Sequence, residues 1–104
     1  MKEFKESVIK ALLPQLILLE LNAQPRHGYA LINLIRKKHG VYLGPSTMYP
    51  TLVELEKQGL IHSTWQVNDR PRKLYEITNR GRTLLGQNSA VLTILNKTIE
   101  VRQP

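Results

Sequence analysis

Between Pro45 and Ile77 the apolar spacing changes period once, and Gly59 stands at the change. Before it, Met48, Leu52 and Leu55 recur at steps of four and three, the repeat of one helix face. After it, Ile61, Ser63, Trp65 and Val67 alternate with His62, Thr64 and Gln66, the repeat of a strand. A polar turn, "NDRP", follows, and "RKLYEI" returns. The spacing therefore predicts a β-hairpin directly behind a helix. That order limits the architectures open to a small chain.

Upstream, three further segments read as helix. Residues 3–12 place Phe4, Val8, Ile9 and Leu12 at helical spacing. Pro14 either opens a second helix over 14–23 or kinks one continuous helix. "LILLEL" is apolar on nearly every side, as in a helix buried by its neighbours. Asn22 to Pro25 reads as a stop. From His27 to His39, Tyr29, Ala30, Leu31, Ile32, Leu34 and Ile35 suit a core helix. It ends in Arg36, Lys37 and Lys38, where cations favour the helix dipole, with Gly40 as the stop. Gly28 near its start is expected to pack closely against another backbone. Gly44 and Pro45 read as N-cap and first position of the next helix, which runs to Gln58. Pro50 falls inside it. Its ring and missing N–H cost roughly 3 kcal/mol in a helix interior, but here they free only the Ser46 carbonyl, one turn from the start.

Thr78 is a good N-cap for a last helix over 79–101. Leu85, Leu92 and Ile99 recur at heptad spacing, with Asn88 and Leu95 between them and Val91 beside them. Such a stripe on a terminal helix of so small a chain suits packing against a second copy. The expected fold is mainly α with a small β-hairpin: a winged helix-turn-helix plus a C-terminal dimerisation helix. Residues 1–78 are expected to form the winged helix-turn-helix with its N-terminal helix, a DNA-binding design, and 79–104 the dimerisation helix, in one compact unit. Leu85, Asn88, Val91, Leu92, Leu95 and Ile99 are the expected dimer contacts.

At 104 residues the chain suits a single core. Its net charge of +7 suits a polyanionic partner, nucleic acid first and an anionic membrane surface second. Arg70, Arg72, Lys73, Arg80 and Arg82 lie close together, opposed in that window only by Glu76. No apolar run reaches the roughly 18 residues that mark a membrane span, and the start does not read as a signal peptide. Without cysteine there is no disulfide framework, and a cytoplasmic setting is the default. His27, His39 and His62 lack metal-ligand spacing, so neither a metal nor another cofactor is expected. No nucleophile–base set, glycine-rich phosphate loop or carboxylate pair suggests an enzyme.

"HGYALINLI", "LGPSTMYPTLVELEKQGLI" and "DRPRKLYEITNRGRTLL" together resemble the PadR family of bacterial and archaeal transcriptional regulators. The resemblance covers about residues 10–86 and keeps three blocks in register. It implies a homodimeric, DNA-binding winged helix, usually a repressor. Some members of the family are released from DNA by small aromatic or cationic compounds, so a small-molecule effector is open. The short tail resembles the subfamily with a single dimerising helix. Some of its members hold a planar drug between paired tryptophans on that helix. Here residues 79–104 contain no aromatic, and Trp65 lies in the hairpin, so a stacking site at the dimer centre is not expected.

In a helix-turn-helix the N-terminal residues of the second helix face the major groove. Ser46 and Thr47 are read there as base-edge or phosphate partners, or else only as caps for the helix start. Tyr49 offers a ring for a thymine methyl and a hydroxyl for a phosphate, or else packs on the wing. Pro50 either aims Tyr49 or is a tolerated kink. Arg70, Arg72 and Lys73, on the hairpin, are expected at the backbone or minor groove, with Lys37 and Lys38 as weaker phosphate candidates. Trp65 and Tyr75 are expected to anchor the wing on the helices. The reading is thus a homodimer on a double-stranded, pseudo-palindromic operator. The competing reading is a winged-helix module for protein–protein contact or RNA binding, with a wing basic only for solubility.

Overall fold

A computed structural model describes residues 1–67 and 69–87. Five helices occur there: α1 (Lys2–Ala11), α2 (Leu13–Ala23), α3 (Gly28–His39), α4 (Pro45–Lys57) and α5, which spans 79–87 of the described chain. Three strands complete it: β1 (Arg26–His27), β2 (Ile61–Val67) and β3 (Pro71–Ile77).

Pro14 opens a helix and does not kink one. It stands in the first turn of α2, where its missing N–H deprives no carbonyl, and Leu12 (φ −90°, ψ 0°) separates α2 from α1. α1 is one-sided: only Ile9 is buried, and Phe4 is exposed. α2 is the central element, burying Leu13, Leu16, Ile17, Leu18 and Leu21. Leu31 and Ile35 of α3, Met48 and Leu52 of α4, and Ile61 of β2 complete the same core. Val41 and Leu43, in the connection from α3 to α4, are buried as well.

Helix ends follow local chemistry. Gly40 closes α3 with φ 71°, a left-handed backbone that glycine adopts without a Cβ clash. α4 ends in a Schellman turn around Gly59 (φ 73°): Gly59 N–H donates to Glu56 and Leu60 N–H to the Leu55 carbonyl, both at 3.0 Å. The reversal delivers Leu60 and Ile61 straight into β2.

The sheet is antiparallel, ordered β1-β3-β2, with Ile61 opposite Ile77, Ser63 opposite Tyr75 and Trp65 opposite Lys73. The hairpin matches the period reading. The third strand does not: Arg26 and His27 pair with Tyr75 and Leu74 of β3. Two residues are too few to leave a period in the sequence, and their partners lie far along the chain.

Thr78 ties the wing's base to α5. Its hydroxyl donates to the Gly59 carbonyl at 2.7 Å and accepts from Gly81 N–H at 3.0 Å, and its own N–H reaches the Leu60 carbonyl. A Cβ on Gly81 would collide with that Leu60 carbonyl oxygen, so only glycine fits this crossing. Leu85 is 7% exposed and packs into its own chain's core. Asn88, Val91, Leu92, Leu95 and Ile99 lie outside the described residues. Among the described residues no helix is long and apolar enough to cross a membrane, and no cluster of His, Cys, Asp or Glu could hold a metal.

Candidate nucleic-acid interface

The site is built on α4. Met48 and Leu52 are fully buried and Leu55 nearly so, which turns Ser46, Tyr49, Pro50, Val53 and Lys57 outward. Gly44 begins the helix with its backbone: its carbonyl accepts Thr47 N–H at 3.0 Å and Met48 N–H at 2.8 Å. No side chain caps the start. Ser46 is exposed and Thr47 half-buried, so neither hydroxyl is consumed as a cap. The positive end of the helix dipole lies beside them.

Pro50 is exposed inside an unbroken helix. The Ser46 carbonyl, which would have accepted its N–H, belongs to the outward first turn. One residue on, the Thr51 hydroxyl donates to the Thr47 carbonyl at 2.9 Å.

Tyr49 is 39% exposed, and the ring lies across Gly28 at the start of α3. A Cβ on Gly28 would stand 2.6 Å from Tyr49 Cε1 and 2.7 Å from its hydroxyl oxygen. Gly28 thus makes room for a side chain of α4, where the sequence suggested a backbone neighbour. The correction has a simple cause: a glycine reports that space is needed, not what fills it.

The wing carries the basic side chains. Arg70 is exposed at the hairpin turn. Arg72 reaches back to α3: its Nη1 donates to the Tyr29 hydroxyl at 3.0 Å, and its guanidinium carbon lies 5.5 Å from the Tyr29 ring centre. Lys73 sets its ammonium 5.4 Å from the Trp65 ring centre. Trp65 does not anchor the wing; it is 63% exposed. The buried part of the hairpin stops at Ser63, whose hydroxyl donates to the Glu56 carboxylate at 2.8 Å, and at Tyr75. Beyond that point the alternation persists but no helix covers it. Tyr75, at 5% exposed, does anchor the wing. Burial pushes its phenol pKa up from the ordinary 10.0, and nearby Tyr49 and Glu56 add to the rise.

The lysines at the end of α3 divide. Lys37 is exposed and makes no ion pair among the described residues. Lys38 is paired with Glu20 at 2.7 Å, a carboxylate only 5% exposed. Arg26 closes the same site, with Nη2 3.5 Å from Glu20 and Nε donating to the Glu20 carbonyl at 3.1 Å. Lys38 is therefore engaged in joining α3 to α2, which weakens its standing as a phosphate partner. In sequence Glu20 is only a polar interruption of an apolar run; no local signal marks it as a buried carboxylate that gathers two cations.

Tyr29, which the periodicity put among core positions, is 49% exposed and stacks on His27 with ring centres 5.7 Å apart. His27 Nδ1 lies 3.0 Å from the Lys73 carbonyl. A carbonyl can only accept, so Nδ1 carries the proton and donates.

The sequence profile of the transcriptional regulator PadR-like family matches residues 17–87, which include α3, α4 and the whole wing. The chain is 38% identical over 63 residues to the transcriptional regulator Rv3488 of Mycobacterium tuberculosis, a match covering 60% of this chain. It spans 59% of that relative's length. The fold is similar to a PadR family transcriptional regulator from Eggerthella lenta (TM-score 0.73, 32% identity, 89% of this chain and 79% of that one). It is also similar to Bacillus subtilis PadR, solved in complex with operator DNA (TM-score 0.68, 24% identity, 73% of this chain and 44% of that one).

Proposed function

The chain belongs to the PadR-like family of transcriptional regulators, and from that premise we propose that it is a homodimeric repressor, acting in the cytoplasm on a pseudo-palindromic DNA operator. The observation that carries this reading is the outward face of α4. Two uncapped hydroxyl residues and a half-exposed tyrosine stand at the helix start, beside a wing bearing Arg70, Arg72 and Lys73. An α-helix fits the major groove of B-DNA, and a two-stranded basic hairpin suits the flanking backbone. In this reading Ser46, Thr47 and Tyr49 meet base edges and nearby phosphates, and Pro50 lies on the same face. The three wing cations and Lys37 meet phosphates. A protein of similar fold, Bacillus subtilis PadR, is solved in complex with operator DNA, which supports duplex DNA as the partner. Two-fold symmetry would set half-sites about one helical turn apart, with Val91, Leu92, Leu95 and Ile99 at the subunit contact and Asn88 fixing its register.

Fluorescence anisotropy with the upstream intergenic DNA tests this. The full chain should bind that DNA well above random duplex, with affinity falling steeply with salt at about 0.9 counterion per neutralised phosphate. Tyr49→Ala should erode the preference for operator, whereas Arg72→Ala should weaken operator and random DNA alike. Equal binding to both DNAs by the unaltered chain would sink the reading. Salt-insensitive capture of a protein partner would favour the protein-contact alternative. Repression is checked with a reporter behind that promoter, which the chain should silence. Dimerisation is checked by sedimentation, where Leu92→Glu should leave a monomer.

A further inference from the structure

Three consecutive residues, His27, Gly28 and Tyr29, each touch a different part of the interface. The His27 imidazole holds the backbone of β3 at the Lys73 carbonyl. Gly28 leaves the space that the Tyr49 ring of α4 occupies. Tyr29 holds the Arg72 guanidinium by a hydrogen bond and by its ring face. All three sit at the β1–α3 junction, where β1 joins the sheet against β3. We propose that this tripeptide is the positioning block of the DNA-binding surface, and that Tyr29 is a positioning residue that pre-orders Arg72 for phosphate contact. The proposal rests on the operator-binding reading above.

The physical argument concerns conformational freedom. Arg72 is exposed at the far end of the wing, where no core packing restrains a side chain with four flexible bonds. Immobilising such a side chain on binding costs enough to lower affinity about two- to tenfold. Tyr29 meets part of that cost before DNA arrives. Its ring is itself fixed, on one side by stacking on His27 at an interplanar angle of 7°. The tyrosine hydroxyl uses one guanidinium N–H, and an arginine has five, so Arg72 keeps donors for a phosphate while still held. A planar cation on an aromatic face also gains from the ring quadrupole, which a phosphate on the opposite side leaves intact. The sequence signal for this role was the "HGY" element itself, which core packing alone does not explain: Tyr29 is half exposed and Gly28 disfavours helix.

The test has two independent arms on the full chain. In the first, ¹⁵N relaxation of the Arg72 Nε–H group is measured without DNA. Restricted motion is expected in the unaltered chain, restriction in part retained in Tyr29→Phe, which keeps the ring, and free motion in Tyr29→Leu. Equal mobility in the unaltered chain and in Tyr29→Leu overturns the proposal, whatever DNA does. In the second, Tyr29→Leu is combined with Arg72→Ala in a binding cycle. Tyr29→Leu should weaken operator binding about two- to tenfold alone and have no effect once Arg72 is alanine. The same loss in both backgrounds overturns the proposal, because Tyr29 would then touch DNA itself. Failure of the unaltered chain to prefer operator DNA removes the operator reading, while the relaxation arm still decides whether Tyr29 orders Arg72. Thermal unfolding of both Tyr29 variants, expected near that of the unaltered chain, separates positioning from misfolding.

Discussion

Helix α4 and the tip of the wing present their outward side chains by different means. α4 is held by burial: Met48, Leu52 and Leu55 occupy the core, and the outward face is a geometric consequence of that inner stripe. The tip of the wing has no such anchor. Past Ser63 and Tyr75, Trp65 and Val67 are 63% and 73% exposed, and position is set by single contacts: Arg72 on Tyr29, Lys73 beside Trp65, His27 on the Lys73 carbonyl. The contrast suits two kinds of readout. A helix that reads base edges needs a rigid platform, whereas a wing that follows phosphates can have its cations ordered one at a time, as Tyr29 orders Arg72.

The contrast can be broken most directly at its rigid end. Leu52→Ala should destabilise the fold by about 2–5 kcal/mol, as the loss of a buried leucine with an imperfectly filled cavity does, read as a lower urea midpoint. A loss under about 0.5 kcal/mol would mean that α4 is not held by its core stripe. Pro50 comes next. Pro50→Ala restores an N–H for the Ser46 carbonyl and should stabilise the chain by about 1–2 kcal/mol, the helix gain less the added freedom of the unfolded chain. If operator affinity is unchanged in that variant, Pro50 is only tolerated; if affinity or discrimination falls, it aims Tyr49.

The boundary between anchored base and free tip is tested by pH. Tyr75 has a raised phenol pKa in the fold, chiefly from burial. Below about pH 10 the phenol is protonated in both states and contributes no pH dependence. Above it, the unfolded chain releases the proton first, so stability falls until the folded phenol also ionises. Denaturant titrations on either side of that pH should show the fall, and Tyr75→Phe should remove its share of it. The smallest effect is expected at the tip: Trp65→Ala should change stability by no more than about 0.5 kcal/mol despite the loss of so large a side chain. A loss of several kcal/mol there would erase the contrast.

Much of this layout is legible locally. The helix bounds, Pro45 at the first position, Gly40 and Gly59 as stops, Thr78 as a cap and the hairpin all follow from periodicity and end signals. The outward set Ser46, Tyr49, Pro50 and Lys57 follows from the inner stripe by subtraction. Trp65 shows the limit. Alternation says which face of a strand a residue takes, but whether anything covers that face depends on how far the helices extend beside it. Tyr29 failed in the same way: helical spacing put it with core residues, and its turn of the helix faces the wing instead.

By itself, then, the sequence determined the order of the elements, their ends and the side of α4 that remains outside, since these depend on spacing and caps within a few residues. Only the tertiary structure decided that Arg26 and His27 form a strand, that the buried Glu20 gathers Arg26 and Lys38, that Gly28 shelters Tyr49, and that Tyr29 holds Arg72. Most of these join residues far apart in the chain. No local pattern records such a partner, because the free energy of each contact exists only once packing has brought both sides together.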